Sequence, residues 1–310
     1  MKQNFIIAFD VGGTNLKSAL LDSANNIIDS SSTSTSDFKS KDSLIHAIVN
    51  QASGIKSRNK LNNQRILGVG VGLPGPVDFK NGVVYSLTNI PGWRDVPLKK
   101  LLRKKLGLDV FVDNDAKLMA MAEFHAGAAK GANTAVCITL GTGVGGGLII
   151  DGRLHRGFNN AAGELGHMPL NEAGAKCNCG SYACLETYIG NKVIMGKAKN
   201  AFGRQVSLEE LSRMSKADNG IAKKIWRDSG RQLGIVLSGI VNLLNPDCIV
   251  IGGGVSNAGK VLFDEVRRTV KDRAMVVQAR HVKVIKAMLG NDAGLIGAGI
   301  LVKQSLMKRN

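Results

Sequence analysis

The sequence predicts an α/β protein of two lobes, and two observations carry that prediction. Short apolar runs of strand length alternate with helical patterns along the chain. One supersecondary unit also occurs twice: residues 5–21 (FIIAFDVGGTNLKSALL) and residues 135–150 both read strand, Gly/Thr turn, strand. Such a duplication predicts two related lobes, each donating one glycine turn to a shared cleft. With 310 residues, 44% of them hydrophobic, the chain has apolar surface for two cores and is not intrinsically disordered.

Taken in order, the run at 5–11 is a buried strand, and the Gly12-Gly13-Thr14 turn returns the chain as a second strand. The Ser/Thr tract Ser30–Ser36 reads as a polar edge strand or loop, and residues 42–57 as a helix. Ile66–Val71 is a continuous apolar run, hence a buried strand, stopped at Leu73-Pro74-Gly75-Pro76. A short basic helix is expected at 97–106. Val110–Val112 then leads into Asp113-Asn114-Asp115, and a helix follows from Ala116 to about Ala129. After the second hairpin, residues 158–190 are turn-rich and helices dominate 191–244. The strand Cys248–Ile251 runs into Gly252-Gly253-Gly254, with a helix from about Asn257, a strand near 282–286 and a last helix near 292–304.

Composition narrows the function classes. Lys and Arg number 41 against 24 Asp and Glu, a net charge of +17. Nucleic acid is nevertheless not the expected partner. The basic residues are scattered, their densest cluster (Lys99–Lys105) lies on an amphipathic helix, and three Tyr, two Trp and nine Phe offer little to stack on bases. A basic surface suits anionic substrates instead. No apolar run reaches 18 residues, and the five apolar residues before Asp10 are too few for a signal segment. The expectation is a cytoplasmic protein with no membrane partner. Five cysteines, an odd number, argue against a disulfide framework.

Several constellations carry chemistry. The two matches to GxGxxG, at Gly70–Gly75 and Gly141–Gly146, do not lead from a strand into a helix, so neither is a dinucleotide fingerprint, and no P-loop is present. A glycine turn between strands can still point amides at phosphate oxygens. Asp10 beside the first turn suits Mg²⁺ through water, and Thr142 in the second suits a phosphate. Asp113-Asn114-Asp115 is open to two readings: simple capping of the next helix, or one carboxylate as base with an amide orienting a hydroxyl. Cys177-x-Cys179-x4-Cys184, with His167 ten residues upstream, has the donor set of a closed, structural Zn²⁺ site. Cys137 and Cys248 lie in apolar strands and are expected to be inert core residues.

Taken together, these residues resemble the ROK family of sugar kinases, and its bacterial glucokinases most. The resemblance rests on Asp10-Val-Gly-Gly-Thr14 with Lys17, Leu73-Pro-Gly-Pro-Val-Asp78, Asn114-Asp115-Ala116, Leu140-Gly-Thr-Gly-Val-Gly-Gly-Gly147, Gly163-Glu-Leu-Gly-His167, the cysteine motif through Glu186, Gly252-Gly-Gly-Val255 and Gly290-Asn-Asp-Ala-Gly294. It implies the actin-like ATPase (ribonuclease H-like) fold, with MgATP and a hexose bound in the cleft between lobes. By the same resemblance Asp115 is the catalytic base, and Asn114, Glu164, His167, Glu186 and Gly75 bind the sugar. Asp10, Gly12, Gly13, Thr14 and Lys17 form one phosphate turn, Gly141, Thr142 and Gly143 the other, and Gly253 and Gly254 lie on the adenosine side. His167, Cys177, Cys179 and Cys184 bind zinc, His167 having one ring nitrogen on the metal and the other towards sugar.

Three positions depart from the family pattern: Lys117 where relatives usually carry Asn, and Asn160 and Ala183 where they usually carry Gly. Glucose is the expected hexose. The alternatives are another hexose or an N-acetylhexosamine (N-acetylmannosamine or N-acetylglucosamine), and polyphosphate in place of ATP. A sugar-responsive repressor would need a helix-turn-helix before the first turn, for which nine residues leave no room. The expected organisation is a small lobe of residues 1–116 plus the last helix (291–310), and a large lobe of 117–290 carrying the zinc site and a homodimer surface.

Overall fold

A computed structural model describes residues 4–87 and 90–308. The chain divides into two compact units: Met1–Ala122 with Arg156–Ala162 and Asn291–Asn310, and Glu123–His155 with Gly163–Gly290. In chain order the first unit contributes β1 (Phe5–Val11), β2 (Asn15–Leu21), β3 (Ile27–Ser34), α1 (Lys41–Arg58), β4 (Ile66–Leu73), β5 (Val77–Asp78), β6 (Val83–Ser86), β7 (Arg94–Val96), α2 (Leu98–Leu106) and β8 (Val110–Asn114), and α3 (Asp115–Ala126) leads out of it. The next elements are β9 (Ala135–Leu140), β10 (Val144–Ile150), β11 (Arg153–His155), α4 (Glu186–Ile189), α5 (Asn191–Phe202), α6 (Leu208–Lys216), α7 (Gly220–Leu244), β12 (Cys248–Gly252), α8 (Lys260–Arg273), α9 (Val276–His281) and β13 (Lys283–Lys286). The last is α10 (Ala293–Met307), which belongs to the first unit.

The duplication read from sequence extends to whole sheets. The first unit has the strand order β3-β2-β1-β4-β8 and the second β11-β10-β9-β12-β13. In each, two antiparallel pairs are followed by two parallel ones. The inner parallel strands β1, β4 and β12 are buried along almost their whole length, as continuous apolar runs require. β3 alternates half-buried and exposed residues, and is the polar edge strand that the Ser/Thr tract predicts.

Each unit closes its own core. In the first, α1 starts at a reciprocal capping box between Ser40 and Ser43 and buries Leu44, Ile48, Ala52 and Ile55. Burial of each larger side chain is worth about 1.5–3 kcal/mol. α10 packs against β1 and β4 of the same unit. In the second, Trp226, Leu233 and Leu237 of α7 and Leu262, Val266 and Val270 of α8 join residues of β9 and β12 in one core. Glu123, completely buried, is held there by the amides of Ala128, Met288 and Leu289, which donate to its carboxylate at 2.7, 3.1 and 2.8 Å.

The sequence predicts no strand between Val77 and Val96, where β5, β6 and β7 form a small three-stranded sheet. The helix expected from about Asn257 is preceded by a 3-10 turn, Gly254–Ala258. There the Ser256 hydroxyl donates back to the Gly253 carbonyl at 2.7 Å, and α8 starts only at Lys260. Among the described residues, no helix is long and apolar enough to cross a membrane.

Candidate functional site

In the first unit, β1, β4 and β8 run parallel, so their carboxyl ends share one edge of the sheet. That edge is where an open α/β sheet offers a ligand its loops and helix N-termini. It gathers Asp10 and the 12–14 turn, Gly75 after β4, and Asn114-Asp115 where β8 becomes α3. Asp10 stands opposite Lys17 in the β1–β2 ladder, and Lys17 Nζ donates to the Asn291 carbonyl at 2.9 Å. Gly294 presses on Asp10 so closely that a Cβ there would lie 2.5 Å from its carboxylate oxygen. Burial pushes the Asp10 carboxyl above its ordinary value, with Lys17 opposing. A carboxylate driven towards protonation is one whose cost a bound cation would relieve, which is the fit that Mg²⁺ requires.

The turn itself is tighter than a row of free amides. The Gly12 amide is spent on the Asn15 carbonyl at 2.8 Å, and the Gly141 amide on Gly143 at 2.9 Å. Of the expected phosphate contacts, these two amides are therefore turn-closing groups. A cavity of about 240 Å³ opens beside the first turn, lined in part by Gly13, Thr14, Thr35, Pro74, Leu87 and Ile90. Thr35 carries no signal of its own in the sequence, because it lies within a Ser/Thr tract that looks like plain edge. Its buried hydroxyl has no hydrogen-bond partner among the described residues.

Asp113-Asn114-Asp115 resolves into three separate tasks. Asp113, 1% exposed, is paired with Arg156 at 2.5 Å. Asn114 scaffolds: its Oδ1 accepts the Lys117 amide at 3.1 Å, and its Nδ2 donates to the Gly75 carbonyl at 3.1 Å. One N–H and one lone pair of that amide remain beyond these two bonds. Asp115 occupies the first turn of α3, and its Oδ1 accepts the Ala116 amide at 2.8 Å.

In the second unit the parallel strands β9 and β12 are neighbours, and this brings the 141–143 turn and Gly253-Gly254 to one edge. Gly253 has φ +81°, and a Cβ there would lie 2.3 Å from the Leu140 carbonyl oxygen, so only glycine fits. The same turn holds Glu186, whose carboxylate accepts the Val144 amide at 2.8 Å.

The donor atoms of His167, Cys177, Cys179 and Cys184 all lie within 4.8 Å of one another. Cys177 Sγ is 3.5 Å from His167 Nδ1, and Cys179 Sγ is 3.7 Å from Cys184 Sγ. Tetrahedral Zn²⁺ with Zn–S near 2.3 Å places sulfurs about 3.8 Å apart and S and N about 3.6 Å apart, so the group fits. Burial, then the neighbouring sulfurs, push the Cys184 thiol up to about 12, while a backbone hydrogen bond at Ser181 pulls Cys179 down. Crowded sulfurs of this kind are what a cation stabilises. His167 Nε2 points the other way, 4.0 Å from Glu164. Cys137 and Cys248 are buried in β9 and β12, away from this group.

The three departures each have a structural setting. Asn160 and Ala183 both adopt left-handed backbone, at φ +67° and +53°, a region glycine enters without cost. Lys117 Nζ donates to the Asn160 carbonyl at 2.5 Å.

The ROK family model matches residues 6–305. A glucokinase of Halalkalibacterium halodurans is 35% identical over 98% of this chain and 96% of its own length. A ROK family glucokinase from Streptomyces griseus, solved in complex with glucose and AMPPNP, is 31% identical. It superposes with a TM-score of 0.85 over 97% of this chain and 100% of that one. A putative N-acetylmannosamine kinase from Listeria monocytogenes is 27% identical, with a TM-score of 0.83 over 97% of this chain and 99% of that one.

Proposed function

Because this chain belongs to the ROK family, with the actin-like ATPase fold, we propose that it is an ATP-dependent hexose kinase that phosphorylates the 6-hydroxyl of glucose. One observation carries the reading furthest. Asp10 with the glycine turn, Gly75, and Asn114-Asp115 come from three separate stretches of sequence and meet at one carboxyl edge of one sheet.

In the proposed reaction, Asp115 takes the proton of the 6-hydroxyl as that oxygen attacks the γ-phosphorus of ATP. The bond to the β–γ bridging oxygen breaks, and its electron pair leaves on ADP. Phosphoryl transfer asks a protein mainly for position and charge, so one carboxylate base and two rigid turns suffice. Asn114 orients the hydroxyl with the N–H and lone pair that Gly75 and Lys117 leave over. Glu164, His167 and Glu186 bind further hydroxyls. Thr14, Lys17, Thr142 and Gly143 face phosphate, and Gly253-Gly254 the adenosine. Asp10 would hold Mg²⁺ through water, and the ion would supply charge neutralisation on the transferred group.

His167, Cys177, Cys179 and Cys184 would hold a structural zinc. Glu164 lies three residues before the first of these and Glu186 two after the last, so one ordered knuckle spaces both sugar carboxylates. We also propose a homodimer formed by the second unit, supported by the contiguous exposed side chains Met275, Val276 and Val277. Light scattering that gives a monomer mass at micromolar concentration would remove that clause.

The test is ADP release from MgATP across glucose, mannose, fructose, allose, N-acetylglucosamine and N-acetylmannosamine, with Asp115→Asn as control. Glucose far ahead, with the control silent, is the expected result. Preference for an N-acetyl sugar would move the substrate and keep the kinase. No turnover with ATP or polyphosphate would overturn the reading.

A further inference from the structure

Residues 156–162 leave the second unit's sequence and pack within the first. Two side chains of the first unit hold them. Asp113 pairs with Arg156, whose guanidinium also lies 3.9 Å above the Phe79 ring. Lys117 reaches the other end of the excursion, donating to the Asn160 carbonyl at 2.5 Å. The Ala162 amide closes the segment on the Arg156 carbonyl at 2.9 Å.

Lys117 is 2% exposed. An ammonium so deeply buried costs free energy unless its donors are used, so the contact with Asn160 is not incidental to the fold. The left-handed backbone of Asn160, φ +67°, sets the course of the chain at the carbonyl that meets the amine. The same lysine grips Asn114 by its backbone amide, at 3.1 Å from Oδ1. One residue thus ties Asn114 to a loop that ends two residues before Glu164.

We propose that Lys117 is a positioning residue, latching the 156–162 excursion to Asn114 and so setting the approach of the sugar. This rests on the hexose-kinase reading for its kinetic half only. The latch acts on binding rather than on phosphoryl transfer, since Lys117 is assigned no contact with the reacting atoms.

The experiment is Lys117→Met, which keeps length and removes the charge and the donor, beside Lys117→Arg, which keeps both. Two readouts are taken: glucose kinetics, and hydrogen–deuterium exchange of peptides covering 156–162 and α1. Losing a charged hydrogen bond should raise the KM of Lys117→Met about ten-fold while kcat stays within about three-fold. Exchange should rise at 156–162 and not in α1, and Lys117→Arg should restore much of the protection. Unchanged exchange at 156–162 overturns the latch, and a fall in kcat at constant KM overturns its role in sugar positioning. Should the wild type phosphorylate no sugar while exchange still rises in Lys117→Met, the kinase reading fails and the latch stands.

Discussion

The carboxylate of Glu186 accepts the amide of Val144 at 2.8 Å. Val144 is the first residue of β10, and Glu186 lies two residues past Cys184, so this bond joins the glycine turn to the cysteine knuckle. A perturbation of either should therefore be felt by the other.

Glu186→Ala should raise KM for both sugar and ATP, because it removes a proposed hydroxyl ligand and frees the end of the turn together. A hydrogen bond to a charged group is worth about 1.5–3 kcal/mol, which sets the expected loss in kcat/KM at roughly ten- to a hundred-fold. Glu186→Gln keeps an acceptor for Val144, so its ATP KM should stay near wild type. Equal damage to ATP binding in both variants would refute the coupling.

Asp115→Asn should lower kcat by about 10²–10⁴-fold, the usual worth of general-base help. Its thermal midpoint should move little, because asparagine keeps an oxygen that can accept the Ala116 amide. Steady-state kinetics beside differential scanning fluorimetry checks both halves.

Removing the metal should cost sugar affinity before it costs chemistry. Elemental analysis is expected to find one zinc per chain in the wild type and none in Cys184→Ala. Glucose KM should rise ten-fold or more in that variant, since ordering of Glu164 and Glu186 is lost. A wild-type chain purified without zinc, yet with full activity and an unchanged midpoint, would remove the structural role.

Asp10 gives a pH signature of definite sign. Burial raises its pKa above the ordinary 3.8, so between the two values the folded chain holds a proton that the unfolded chain has lost. The contribution to stability is complete below about pH 3.8 and is lost as pH rises through the raised value; beyond it, the ionised group is a standing cost. Asp10→Asn should accordingly raise the midpoint of the ligand-free protein at pH 7.5, gain little at pH 4, and abolish Mg²⁺-dependent turnover. A lower midpoint at pH 7.5 would contradict the burial argument.

Glu123→Ala should be among the most destabilising single changes. It leaves the amides of Ala128, Met288 and Leu289 without their buried acceptor, a loss of about 2–5 kcal/mol by urea unfolding. Glu123→Gln, which keeps one acceptor oxygen, should lose less.

The glycine turns, the parallel strands and the cysteine knuckle were all legible because each is written in local sequence. Apolar runs bracket Gly12-Gly13-Thr14 and Gly141-Thr142-Gly143, and a metal knuckle needs its donors within a few residues of one another. The small sheet of β5, β6 and β7 was not legible. Strands of two to four residues are too short to show a period, and Gly-Pro and Asn-Gly between them read simply as turns. Nor could spacing choose among the three tasks of Asp113, Asn114 and Asp115. That choice depends on Arg156, a partner 43 positions away from Asp113. Lys117 stood out only as a departure from a pattern, and its meaning came from an equally distant carbonyl.

One feature of the fold bears on how the molecule is made. α10 packs against β1 and β4, yet it follows the whole of the second unit in the chain. At the roughly 5–20 residues per second of synthesis, the first sheet waits about ten to forty seconds with that face uncovered after its own strands have been made. The second unit, in contrast, is complete in sequence by Gly290. Premature termination just before Ala293 would therefore release a chain whose later half is finished and whose earlier half is not, an exposed sheet of the kind that chaperones and proteases engage.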